Sequence, residues 1–213
     1  WNRVLSNAGN VITLAYPLAY AMPSGATVDA QTRSPSSPSV ITDVRIVGMR
    51  LQQSTGACDA LVLMRNAVNC SVEDCVLSTV DGHAVLIGGV GFSSAYSTSS
   101  DCWHCSVESC RITSVAGAST ICAVGIDNHA LECAVRNTLI QQAIQYGVAV
   151  YGARCLIQGN TIEAPGATYN AIIVNSQIDC IIEQNTFGWC PGGAIIVTTE
   201  KNLLVRDNTF ANP

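Results

Sequence analysis

The sequence predicts an all-β fold, a parallel β-helix wound as a single-stranded solenoid of about seven coils. Three observations predict it: one octapeptide pattern recurs to the end of the chain, a second β-rich run follows most copies, and cysteine and asparagine return at fixed places of the pattern.

The copies are VRIVGMRL from Val44, CSVEDCVL from Cys70, CSVESCRI from Cys105, CAVRNTLI from Cys133, CLIQGNTI from Cys155, CIIEQNTF from Cys180 and LLVRDNTF from Leu203. Their starts lie 26, 35, 28, 22, 25 and 23 residues apart, the length of one solenoid coil with loops of variable size. The first, third and eighth places are apolar or cysteine. The fourth is mostly charged or amide, at Glu73, Glu108, Arg136, Gln158, Glu183 and Arg206. That period of two marks a strand with one buried face. The second runs are ALVLM from Ala60, AVLI from Ala84, AVGI from Ala123, VAVY from Val148, and AIIV from Ala171 and Ala194. Short runs rich in Val and Ile, punctuated by Gly, Asn and Pro, make helix a poor alternative. Stacked about 4.8 Å apart, the coils make a rod on the order of 30 Å long.

Stacking sets like residues upon like. Cys70, Cys105, Cys133, Cys155 and Cys180 all take the first place and form one inward structural ladder of small buried hydrophobes. Adjacent coils lie close enough for a disulfide, for which Cys75 and Cys110 at the sixth place are the best pair. CSVEDC and CSVESC do not read as metal motifs, because an inward pair on one strand belongs to a ladder. Late in the chain the sixth place becomes asparagine, at Asn160, Asn185 and Asn208, whose amides can bond backbone and the amide one coil away. In the Cys133 copy the register leaves two residues for that place, Asn137 or Thr138.

Only 12 % of the 213 residues are charged and mean hydropathy is +0.31, yet no apolar run approaches the roughly 20 residues of a membrane span. The net charge is -5, with one lysine, Lys201, and scattered arginines, so there is no basic stripe for nucleic acid. Residues 1–43 read as lead-in strands and a loop ending in SPSSPS, and 44–213 as the coils. The start at Trp1 suggests a processed or partial chain. The absence of a cap after the last octapeptide leads us to expect something over that end, either further sequence or the next molecule. The second place turns apolar at Leu156, Ile181 and Leu204; such an outward ladder is expected to be covered, by the chain's own segments or by self-association.

The repeated C-x-[VI]-x-x-N-T-[IF] with stacked asparagines resembles the coil repeat of the pectate-lyase-like superfamily, over Val44 to Phe210. The resemblance implies right-handed winding, an extracellular or surface-exposed location, no cofactor, and functions that range from polysaccharide lyases and hydrolases to adhesins and structural rods. Of a polygalacturonase-like catalytic set, the chain offers only Gly82-His83-Ala84 and Arg111-Ile112-Thr113, which read as a turn and a strand.

The closest catalytic constellation is Glu73 and Glu108 on adjacent coils, with Asp74, Asp81 and His83 nearby and Arg136 one coil on. Two carboxylates about 5 Å apart suit the acid and nucleophile of a retaining glycosidase, or else are solvated face residues beside an arginine. The long insertion GGVGFSSAYSTSSDCWHC from Gly88 offers Phe92, Tyr96, Trp103 and His104 as ligand-binding side chains for a polysaccharide, or as a cover for the coil edge. Cys102 anchors it, with Cys58 or Cys122 as possible disulfide partners. Two functions follow: an extracellular structural or adhesive segment of a larger fibre-like assembly, or a polysaccharide-degrading or -modifying enzyme. No metal and no cofactor are expected in either.

Overall fold

The computed structural model describes residues 4–8, 11–14, 40–53, 60–88, 101–116, 122–143, 145–163, 170–175, 178–198 and 201–211. Two compact units divide the chain, Trp1–Ser39 and Val40–Pro213. In the first, Val4–Ala8 pairs antiparallel with Val11–Leu14.

The second unit is a stack of coils whose strands all pair in parallel. Sheet I holds seven strands: Arg45–Val47, Ser71–Glu73, Ser106–Glu108, Ala134–Arg136, Leu156–Gln158, Ile181–Glu183 and Leu204–Arg206. Sheet II follows it around the coil, with seven strands: Arg50–Gln52, Val76–Asp81, Arg111–Ala116, Leu139–Ala143, Thr161–Glu163, Thr186–Phe187 and Thr209–Phe210. Sheet III holds the second β-rich runs, in six strands: Ala60–Met64, His83–Ile87, Cys122–Ile126, Tyr146–Val150, Ile172–Val174 and Ile195–Val197. A short sheet IV, of Ile41–Thr42, Ala67–Val68, Cys102–Trp103 and Ala130–Leu131, leads back to sheet I. Ile41–Thr42 already pairs with Ala67–Val68, so the first coil starts ahead of Val44.

Two one-residue corners mark every octapeptide, one just before it and one within it. The residue before the first place has positive φ in all seven copies, at Asp43, Asn69, His104, Glu132, Arg154, Asp179 and Asn202. So does the fifth place, at Gly48, Asp74, Ser109, Asn137, Gly159, Gln184 and Asp207. A single left-handed residue turns the chain while its N–H stays in the ladder, which offsets the steric cost of that conformation. The amide N–H of Asp74 donates to Glu108 O at 3.1 Å and that of Asn137 to Gln158 O at 3.0 Å. The corner assigns the sixth place to Thr138 and leaves Asn137 outside.

Strict register puts like residues in columns. Leu77, Ile112, Ile140, Ile162 and Phe187 occupy the eighth place and are fully buried. Each such side chain contributes about 1.5–3 kcal/mol relative to exposure. The first-place column of Cys70, Cys105, Cys133, Cys155 and Cys180 is buried in the same core.

The described cysteines are free thiols, which corrects the disulfides considered above. In-register stacking points successive sulfurs the same way, and the sulfurs of the first- and sixth-place columns find backbone carbonyls instead. Cys75 Sγ donates to Ile46 O and Cys110 Sγ to Val72 O, both at 3.5 Å. Cys102 points inward, its Sγ 3.2 Å from Met64 O, and Cys122 lies against His83. Cys58 lies outside the described residues.

Candidate functional site

The outward face of sheet I carries the fourth-place column. Glu73 and Glu108 are register partners on adjacent coils. Each carboxylate is met by its own arginine. Arg45 grips Glu73 with two nitrogens, its Nε 3.1 Å from Oε1 and its Nη2 in contact with Oε2. Ser71 Oγ adds a hydrogen bond to Glu73 at 2.6 Å. Arg136 Nη1 donates to Glu108 Oε1 at 2.8 Å from the other side. Further along, Glu183 accepts from Gln158 Nε2 at 2.8 Å and from Arg206 Nε at 2.7 Å.

Electrostatics follow from that pairing. The Arg45 hydrogen bond, with that of Ser71, holds the Glu73 carboxyl below the usual glutamate value. A general acid needs the opposite shift, so that it stays protonated at neutral pH. His83 does not join this group. It sits in sheet III, buried, with Nδ1 accepting from the Cys122 N–H at 3.2 Å. Gly82-His83-Ala84 is therefore strand entry rather than a turn toward the carboxylates, because His83 opens the strand His83–Ile87.

A second polar cluster lines the corner between sheets IV and I. Glu132 accepts from Trp103 Nε1 at 3.1 Å, lies 2.5 Å from His104 Nε2, and accepts from Arg154 Nη1 at 3.2 Å. One carboxylate thus ties three successive coils. Burial acts to raise the Glu132 carboxyl, but the bonds from Trp103, His104 and Arg154 together hold it below the usual value. Asp101 and His129 make a further pair at 3.5 Å.

Trp103 corrects one expectation. Its ring is only 7 % exposed and its N–H is committed to Glu132, so no face is open for a sugar to stack on. The tilted neighbour at a centroid distance of 4.7 Å is His104, itself exposed. Phe92 and Tyr96 lie outside the described residues.

The sixth-place column is a continuous hydrogen-bonded ladder. Asn160 N–H and Nδ2 both donate to Asn185 Oδ1 at 2.9 Å, and Asn185 N–H and Nδ2 to Asn208 Oδ1 at 2.9 and 3.0 Å. Each Nδ2 also caps a third-place carbonyl one coil back: Val135, Ile157 and Ile182. Thr138 and the two cysteines take the same seat with smaller groups; Cys110 N–H donates to Thr138 Oγ1 at 3.3 Å. Leu156, Ile181 and Leu204 do stack as a column on sheet I, the first two half-buried and Leu204 exposed. Among the described residues, no group of three or more His, Cys, Asp or Glu is placed to hold a metal ion.

Sequence reasoning missed Arg45 as the clamp on Glu73, and Glu132 with Arg154. The signal was present: the residue before every first place is polar, as a solvent-facing corner requires, and Arg45 stands at the second place where the next three copies carry Ser or Ala.

With the coils and columns defined, comparison adds the hand of the winding. A protein-family model described as a right handed beta helix region matches residues 122–212. The unit Val40–Pro213 is a parallel β-helix, and its residues 122–212 match a right-handed one. No curated protein matches the sequence. In this β-helix the match spans the later coils, where the asparagine ladder runs, while the arginine-clamped glutamates Glu73 and Glu108 lie ahead of it.

Proposed function

We propose that the β-helix is a non-catalytic structural or adhesive segment, extracellular or surface-exposed, in a larger fibre-like assembly. The supporting observation is the arginine clamp on both Glu73 and Glu108. Adjacent carboxylates can act as acid and nucleophile only if one holds a proton and the other faces substrate. Here each is neutralised by a cation from a neighbouring coil, so the pair works as lateral stitching between coils. The finer kinship with pectate-lyase-like proteins, read from the repeat, belongs to this proposal and supplies the location outside the cell.

The test is an activity screen with the full chain on acidic and neutral polysaccharides, reading reducing ends and unsaturated uronides. The expected result is no release by the wild type. Release that the Glu73→Gln, Glu108→Gln double variant abolishes would replace this reading with a polysaccharide-degrading enzyme.

A further inference from the structure

Most of the buried cysteines stand in columns, where register points neighbouring sulfurs the same way and keeps them from bridging. Cys102 and Cys105 escape that rule. They belong to one coil, with described coils on both sides, and flank the one-residue corner at His104, φ 53°. On the outer side of this bend Trp103 Nε1 and His104 Nε2 reach Glu132 at 3.1 and 2.5 Å. On the inner side both cysteines are buried in the core. A chain that bends once between two inward side chains brings them together.

The two sulfurs share their surroundings. Cys105 Sγ donates to Ala67 O at 3.4 Å, and Ala67 is the residue paired with Cys102 one coil back. Cys102 Sγ donates to Met64 O at 3.2 Å in that same coil. Cys105 lies against Cys102 on one side and Cys133 on the other. The seat of Cys102 is otherwise small: its register partners are Ala67 and Ala130, three places ahead of Cys70 and Cys133 as Cys102 is three places ahead of Cys105. Of these three coils, only the middle one sets two thiols facing each other across the corner.

We propose that Cys102 and Cys105 form a disulfide when the protein folds in an oxidising compartment. The structure, with its described cysteines free, is the reduced form. The oxidant is a small disulfide such as glutathione disulfide, acting on the folding chain before the core closes. Hydrogen bonds from Cys102 and then Cys133 pull the Cys105 thiol down, while the same contacts and burial push Cys102 and Cys133 up, which makes Cys105 the attacking thiolate. Cys105 Sγ bonds to one sulfur of glutathione disulfide and expels the other as glutathione thiolate, which takes up a proton. Cys102, its proton lost to solvent, then attacks Cys105 Sγ and expels the second glutathione. Two protein thiols are oxidised and one external disulfide is reduced to two thiols. The grip of Glu132 on Trp103 and His104 holds the corner bent, so ring closure wins over the mixed disulfide. The bond locks the corner that ends the longest coil, 35 residues from Cys70 to Cys105.

The proposal takes its setting outside the cell from the scaffold reading. The test supplies the oxidant itself, so the bond can fail while the scaffold stands, and hold while a polysaccharide screen overturns the scaffold. The full chain, reduced in urea, is refolded across a series of glutathione to glutathione disulfide ratios, trapped with an alkylating reagent and mapped by fragmentation mass spectrometry. Toward the oxidising end Cys102 and Cys105 should lose both alkyl groups and two hydrogens, while the other cysteines stay alkylated. Cys102→Ala, which puts the neighbouring coils' residue in that seat, should leave Cys105 alkylated at every ratio, and Cys133→Ala should leave the bond in place. The oxidised chain should unfold at higher urea than the reduced one, a shift that Cys102→Ala abolishes. Full alkylation of Cys102 and Cys105 at the most oxidising ratio overturns the proposal, as does a bond from either to Cys133 or any other cysteine. If Cys102→Ala does not regain the native circular dichroism, Cys105→Ala takes its place with Cys102 read for alkylation. If the wild type itself does not refold, the same mapping on chain synthesised in the presence of glutathione disulfide carries the same outcomes.

Discussion

Replacing Asn185 by alanine tests whether the sixth-place ladder, rather than apolar packing alone, holds the later coils in register. Asn185 is 0 % exposed. Its Nδ2 caps Ile157 O at 2.9 Å and its Oδ1 accepts Asn160 N–H at 2.9 Å. Alanine removes both partners, so two buried backbone groups lose their bonds. Each costs about 1–3 kcal/mol, giving roughly 3–5 kcal/mol for the variant. Asn185→Cys should recover about half, because cysteine already fills this seat in two coils: Cys75 Sγ accepts Met49 N–H at 3.4 Å and Cys110 Sγ donates to Val72 O at 3.5 Å. The assay is urea unfolding followed by circular dichroism, with midpoints compared at common slope. A loss below about 1 kcal/mol for alanine, or cysteine no better than alanine, would refute the reasoning.

Three further outcomes are expected. Glu132→Gln should lower stability at neutral pH by about 1–2 kcal/mol, discounted for partial exposure. Because the folded carboxyl lies below its ordinary value, its contribution is present above about pH 4.3 and fades as pH falls through the folded value, so the variant should also flatten the acid limb of a melting-temperature profile. Gly147→Ala should destabilise by about 2–3 kcal/mol, since a Cβ there would lie 2.7 Å from Ile162 Cγ2 and 2.8 Å from Ala171 O; Gly48→Ala, with nothing within 4 Å but a φ of +68°, should cost about 1 kcal/mol, measured by the same unfolding curves. Among the described cysteines, a water-soluble thiol reagent, mapped by mass spectrometry, should label Cys190 of the reduced native protein ahead of the nine buried thiols, which should react only in denaturant. Burial raises the Cys110 thiol to about 11, which keeps it protonated at neutral pH.

The coil was legible because its grammar is local. Apolar first, third and eighth places, with Cys or Asn at the sixth, need no knowledge of what lies across the core, since each residue's chief neighbour is its own counterpart one coil away. The seven strands of sheets I and II follow directly from the octapeptides. Sheet IV was not legible: strands as short as Ala67–Val68 or Ala130–Leu131 carry no period of their own and exist only through the corner that follows them. The site reading failed where side chains reach sideways between columns. Arg45 clamps a glutamate two places along and one coil up, and Trp103 turns its N–H to a carboxylate 29 residues on. Such diagonal contacts depend on coil length, which varies, so period alone does not supply them.

The corners impose an asymmetry on what this rod can tolerate. From the left-handed residue before each octapeptide to the one at its fifth place the spacing is five residues in every copy, from 43 to 48, 69 to 74, 104 to 109, 132 to 137, 154 to 159, 179 to 184 and 202 to 207. Length variation is thereby pushed to the other stretches of each turn, on the sheet III side. Insertions can accumulate along that flank without disturbing the stack, while the opposite flank stays a ruler of fixed graduations, able to present or accept only groups spaced by the coil repeat.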